Sequence, residues 1–271
     1  MRRLLDRRPL PFCLGLTVAL FVLTAMSRFS LPRTQVANPG RLPQEAFEPP
    51  TGLARVMAEL KSPDVLFWGM ALLLAAFLLS WTGLWGQVGF NRPIVRNLRL
   101  LWFPLFVGAL TLSGGAIVAG FDALVSAFLV VLVAAFAQEI LLRGLMWRAL
   151  VPGGPVGAMI STSVLAGILE FGRTATDGPW PEAVRVTSLA LCGGFTYAAL
   201  RWRTASLWPV ILVHAAFAFA VDIATLGAIT YRITLVLSTL GFVAYGVFLL
   251  RNREARADGG LAPEPKPARV R

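Results

Sequence analysis

Apolar runs near twenty residues recur along this chain from end to end, and a run of that length crosses the hydrocarbon core of a bilayer as a helix. They fall at roughly 10–26, 65–86, 100–119, 123–150, 156–171, 183–200, 205–221 and 230–250. Only 14% of the residues are charged and 56% are hydrophobic, whereas a soluble domain carries about a quarter charged residues. A soluble α/β enzyme is thereby excluded. The 271 residues leave room for one membrane domain and no large soluble one. The expected fold is all-α, a polytopic membrane helix bundle of about eight transmembrane helices. The run at 123–150 exceeds a simple crossing, so it tilts or extends past the interface.

The first run, Leu10 to Met26, follows Arg2, Arg3, Arg7 and Arg8, as a signal peptide's apolar region would. It is long for such a region and no small-x-small site follows, which favours a retained helix. Residues 27–64 form the one long loop, rich in Pro, with an amphipathic piece at Leu53 to Leu60. Its simplest reading is a solvated connector. The tail 251–271 is polar, rich in Pro and Gly, and expected to be disordered. The chain thus divides into N-terminal helices (1–119), a core (120–222), a last helix (223–250) and a tail.

The net charge is +11. Its distribution argues against nucleic acid, because the basic residues sit in short links between apolar runs and form no stripe with interleaved aromatics. Seventeen of the 25 basic residues fall on the side that holds the N-terminus, here side A. The excess makes side A cytoplasmic, with both termini there, in a multi-pass protein of the cytoplasmic membrane. The lipid bilayer, and its anionic headgroups, is the expected partner of these residues. Trp85, Trp102, Trp147, Trp202 and Trp208 fall near the side A boundary, as an aromatic belt would. Cys13 and Cys192 lie in apolar runs without metal-ligand spacing and read as small core residues.

Charged groups in mid-bilayer cost roughly 2.5–3.5 kcal/mol each on insertion scales, so those that persist usually have a purpose. Glu139 and Arg143 in the fourth run, Glu170 in the fifth and His214 in the seventh are such groups, and His214 is the chain's only histidine. The breaker Val151-Pro-Gly-Gly-Pro155 joins two of these helices on side A. At 1.5 Å per residue, Glu139 lies about 21 Å from that breaker, Glu170 about 22 Å, and His214 about 15 Å from Thr204. Three helices therefore bring a polar group to similar depth. Glu139 and Arg143, four apart, share a helix face. Each also has a structural reading: a buried ion pair for Glu139 with Arg143, an interhelical hydrogen bond for His214, a wet interface for Glu170. Asp122, Arg185 and Asp222 fall near run ends and read as interfacial, and Gly114-Gly115 and Gly193-Gly194 as sites of close helix packing.

On these residues the chain resembles the CPBP family, the CAAX-protease and bacteriocin-processing membrane proteins. The family's Glu-Glu-x-x-x-Arg is matched by Gln138-Glu139-Ile-Leu-Leu-Arg143-Gly144. Its Phe-x-x-x-His falls on Ala166-Gly-Ile-Leu-Glu170. Its His-x-x-x-Asn falls on His214 and Ala218, after Ser206-Leu-Trp-Pro-Val-Ile-Leu-Val. The resemblance spans about 120–222 and implies a membrane-embedded endopeptidase that acts on a protein or peptide substrate near its C-terminus. It implies that the first Glu activates water, that two His assist and that the Asn holds the oxyanion. Here those positions hold Gln138, Glu170, His214 and Ala218, so the catalytic set is non-standard.

Amide hydrolysis needs a base for water, a donor to the leaving nitrogen and an oxyanion stabiliser. Glu170 or Glu139 can serve as base, His214 as donor or oxyanion partner, and Gln138 as an amide donor, with Arg143 beside Glu139. A divalent metal on Glu139, Glu170 and His214 is the weaker alternative, because zinc sites richer in carboxylate than in His are less usual. No cofactor is expected. The competing functions are a catalytically inactive homologue that binds membrane partners or peptides, and a transporter. The transporter is disfavoured because no repeat of discontinuous helices is found.

Overall fold

A computed structural model describes residues 8–29, 62–116, 120–175 and 179–251. The loop expected at 27–64, with its Leu53 to Leu60 piece, lies almost wholly outside them, as does the tail after Arg251. Among the described residues the chain forms a polytopic helical bundle, in which seven helices are long and apolar enough to cross a membrane. They are α1 (Pro9–Phe29), α2 (Pro63–Thr82), α3 (Val95–Leu112), α4 (Phe121–Gly153), α5 (Pro155–Thr174), α6 (Trp180–Thr204) and α8 (Ala228–Arg251). The shorter apolar helix α7 (Trp208–Ile223) completes the eight.

The helix ends follow from local chemistry. Ser62 Oγ accepts from the Val65 N–H at 3.3 Å, and Pro63 and Asp64 occupy the first turn of α2, where a missing N–H and a negative charge both suit a helix start. Gly83 closes α2 in the left-handed conformation, and its N–H returns to Leu79 O. The α4–α5 corner turns on Gly154, with φ +113°, followed by Pro155.

Two sequence expectations are corrected. The third run does not continue as helix to 119, since α3 ends at Leu112 and Gly115 adopts φ +105°. Gly114-Gly115 therefore makes a turn rather than a helix contact. There Ala116 bridges antiparallel to Ala224, and Gly115 O accepts from the Thr225 N–H at 2.9 Å. Trp147 is buried, its ring 6.1 Å from that of Trp202, so it packs inside rather than joining an interfacial belt.

Two apolar clusters build the interior. One gathers α1, α2, the second half of α4 and part of α5, and the other gathers α3, α6, α7 and α8 with residues flanking the α4–α5 corner. The start of α7 is fixed by a distant segment, the α2–α3 link. Gly89 O accepts from the Leu207 N–H at 2.8 Å, Asn91 O from the Ser206 hydroxyl at 2.7 Å, and Thr204 O from the Ile94 N–H at 3.0 Å. The Arg201 guanidinium is buried beneath this link and donates to Val88 O at 3.3 Å. Gly89 adopts φ +106°, and a Cβ there would fall on that guanidinium. Gly89→Ala is therefore expected to destabilise by about 2 kcal/mol, combining left-handed strain with overpacking. Thermal unfolding in detergent checks this, with Gly86→Ala, which meets open space, as the neutral control.

Candidate active site

The polar groups sit along the seam between the two apolar clusters. At Ile140–Met146 α4 loosens into a π-helical turn, all of it buried, a local form that recurs at functional sites. The turn carries Arg143, whose Nη1 donates to Glu139 Oε1 at 3.3 Å. The ion pair expected from the spacing of four is thus formed, with Glu139 wholly buried and Arg143 almost so.

His214 on α7 completes the group, its Nδ1 2.8 Å from the same Glu139 Oε1. That oxygen already accepts from Arg143, so the imidazole nitrogen facing it donates. In the neutral ring this places the proton on Nδ1 and the lone pair on Nε2. His214 is 17% exposed and lines a cavity of about 350 Å³, whereas Glu139 is 0% exposed behind it. The Tyr197 ring stacks on the imidazole at 4.8 Å and holds its plane.

Glu170 is buried and lines the same cavity, contrary to an exposed interfacial placement. Its Oε1 accepts from Gln138 Nε2 at 2.7 Å and its Oε2 from Arg173 Nε at 2.9 Å. Arg173 reaches on to Asp64 Oδ1 at the start of α2, at 2.7 Å. The five residues singled out by sequence therefore form two adjoining groups: Glu139 with Arg143 and His214, and Glu170 with Gln138. Among the described residues no three His, Cys, Asp or Glu side chains gather as a metal site. Glu170 turns to Gln138 and Arg173.

The cavity shows what sequence reasoning missed. Arg185 and Asp222, read as interfacial, both line it. So does Tyr197, whose hydroxyl is buried without a hydrogen-bond partner among the described residues, like Glu139 Oε2 and Arg143 Nε nearby. A Tyr in an apolar run gives no signal of its own. The adjacent Gly193-Gly194 was the readable clue to a crowded neighbour. A Cβ on Gly194 would stand 2.6 Å from Arg143 Nη2, and one on Gly193 3.4 Å from the Phe242 ring. Gly194→Ala is expected to push the guanidinium from its seat and destabilise by about 1–3 kcal/mol. Gly193→Ala should have the smaller effect, and paired melting curves of the two variants decide.

Chemically, the arrangement offers an imidazole with a free nitrogen facing a cavity, a buried carboxylate that holds its other nitrogen, and a guanidinium and a phenol within the same lining. Ala218 lines the cavity one helical turn beyond His214 and adds no polar group. Residues 120–220 match the family model described as type II CAAX prenyl endopeptidase, Rce1-like. No curated protein and no solved structure matches the chain. The matched stretch holds α4, α5 and most of α7, so over residues 120–220 the chain is similar to the CAAX-type membrane proteases.

Proposed function

We propose that the protein is a membrane-embedded CAAX-type endopeptidase that cuts a protein or peptide substrate near its C-terminus with a rearranged catalytic set. The observation that carries this reading is the Glu139–His214 contact at 2.8 Å, with the free side of the imidazole on the cavity. His214 Nε2 takes the proton of the attacking water and returns it to the leaving amine. Glu139 orients the ring and stabilises its charged form, as a third group does behind a catalytic imidazole. Arg143 and the Tyr197 hydroxyl hold the oxyanion in a site where water is scarce and such donors act strongly. Glu170 is fixed by Gln138 and Arg173 and supplies an acceptor on the cavity wall for the substrate's N–H groups. Gln138 is thereby a positioning residue, since its amide is engaged with Glu170.

A second reading is a homologue that binds peptides without cutting them. It is favoured by Gln138 and Ala218, which stand where the family resemblance expects a Glu and an Asn. One experiment separates the two. The purified protein is incubated with C-terminal peptides, prenylated and unmodified, and new termini are read by mass spectrometry. Product from the native chain that is lost in His214→Ala and Glu170→Gln supports the protease. Equal product from both variants overturns the residue roles. Peptide capture that survives His214→Ala, with no product from the native chain, selects the binding homologue.

A further inference from the structure

Glu170 is buried in the cavity wall, yet it is tied to a residue more than a hundred positions away. Its Oε2 accepts from Arg173 Nε, and the Nη1 of that guanidinium donates to Asp64 Oδ1 at 2.7 Å. Its Oε1 accepts from Gln138 Nε2. A ladder of four side chains thus runs from the first turn of α2 across α5 to α4: Asp64, Arg173, Glu170 and Gln138.

The ladder solves a problem of orientation. A spacing of three brings Arg173 beside Glu170 on one helix face without fixing either side chain. Both have several rotatable bonds, and holding them in one geometry costs rotamer entropy. A guanidinium is planar, so two anchors at different edges fix its plane. Arg173 has both anchors, Glu170 at Nε and Asp64 at Nη1. Asp64 is itself held, because Ser62 caps the first turn of α2, Pro63 sets its backbone, and a carboxylate suits a helix start. Gln138 takes the other carboxylate oxygen, so Glu170 cannot turn without breaking a bond. Arg185, another guanidinium in the lining, is engaged with Glu182 and not with Glu170. Asp64 is 55% exposed, and an ion pair so open to solvent contributes little to folding. What it contributes is direction.

We infer that Asp64 and Arg173 are positioning residues of the candidate active site: together they set the orientation of the Glu170 carboxylate. The site then begins at α2, well before the matched stretch 120–220. What the oriented carboxylate does, accepting from substrate N–H groups, rests on the protease reading. How it is held does not.

The test uses the full chain in lipid nanodiscs with Asp64→Ala, Arg173→Met, Arg173→Lys and the double variant Asp64→Arg/Arg173→Met, which returns a guanidinium from α2. The Glu170 carboxylate band is isolated by subtracting the infrared spectrum of Glu170→Gln made on each background. Arg173→Met is expected to shift and broaden that band, and Asp64→Ala to do so less, since it removes only the outer anchor. Arg173→Lys should fall between Arg173→Met and the native chain, because a point charge cannot hold two carboxylates at fixed edges. The double variant should move the band back toward its native position. Thermal unfolding of Asp64→Ala should stay native, which separates orientation from stability. With a peptide that the native chain cuts, Arg173→Met should raise the Michaelis constant about tenfold, the effect of one hydrogen bond to a charged group, and Asp64→Ala should raise it less. Turnover should change little in both. A native Glu170 band in either Asp64→Ala or Arg173→Met overturns the proposal, as does cleavage at native Michaelis constants by both. Should the double variant fail to accumulate, Asp64→Ala and Arg173→Lys decide. Shifted bands with no peptide cut by the native chain would sink the protease reading and leave the positioning roles standing.

Discussion

His214→Ala is expected to lower the turnover number by roughly 10²–10⁴, the range that a positioned acid–base group contributes. The Michaelis constant should change little, because the removed group acts on the water and the leaving amine rather than on the bulk of the substrate. Truncation also leaves room beside a cavity of about 350 Å³. Added imidazole should therefore restore a measurable part of the rate in His214→Ala, and none in a variant of Glu139, where the ring is present but misheld. Glu139→Gln keeps size and polarity and removes the charge behind Nδ1, so its loss should also fall on turnover. Initial rates on the most readily cut peptide, with and without imidazole, give the answer. Undiminished turnover in His214→Ala would remove the imidazole from the mechanism.

The second large effect concerns folding. In Arg143→Met the Glu139 carboxylate, wholly buried, loses its cation while keeping His214 as its neighbour. Removing one member of a buried ion pair costs about 3–5 kcal/mol, since the remaining charge stays desolvated. Adding Glu139→Gln to Arg143→Met should recover most of that loss, because a neutral amide is far cheaper to bury than a carboxylate. A protein of this kind is marginally stable, so the single variant should accumulate poorly while the double variant accumulates and stays inactive. Reversible denaturation in mixed micelles measures both. Equal stability of Arg143→Met and the native chain would mean that the pair contributes nothing to the fold.

The helices were legible because the physics that makes them is coarse. Twenty apolar residues have one stable form in lipid, with every backbone group bonded within the segment. The pairing of Glu139 with Arg143 was legible because a spacing of four on a helix admits one outcome. His214 was legible as a lone ionisable group in an apolar run. The partner of Glu170 was not, since Gln138 and Arg173 meet it through tertiary packing of α4 on α5 and within the last turn of α5. Arg185 and Asp222 misled for a related reason. Their positions near run ends are as expected, but the cavity extends far enough to include both in its lining. The stop of α3 at Leu112 was hidden because Gly114-Gly115 fits both tight helix packing and a turn, and hydropathy does not distinguish them.

The α2–α3 link that seats the start of α7 is separated from its partners by more than a hundred residues, 113 between Val88 and Arg201 and 115 between Asn91 and Ser206. The ribosome delivers the link first and its partner four helices later, after α3, α4, α5 and α6. Until Leu207 emerges, the link's carbonyls have water for company. Only then does α7 acquire the vertical offset that puts its imidazole level with Glu139. The chemistry of the last-assembled corner is thus conditional on a segment outside the matched stretch, and a fragment limited to residues 120–220 would carry the motifs without the stop that sets their height.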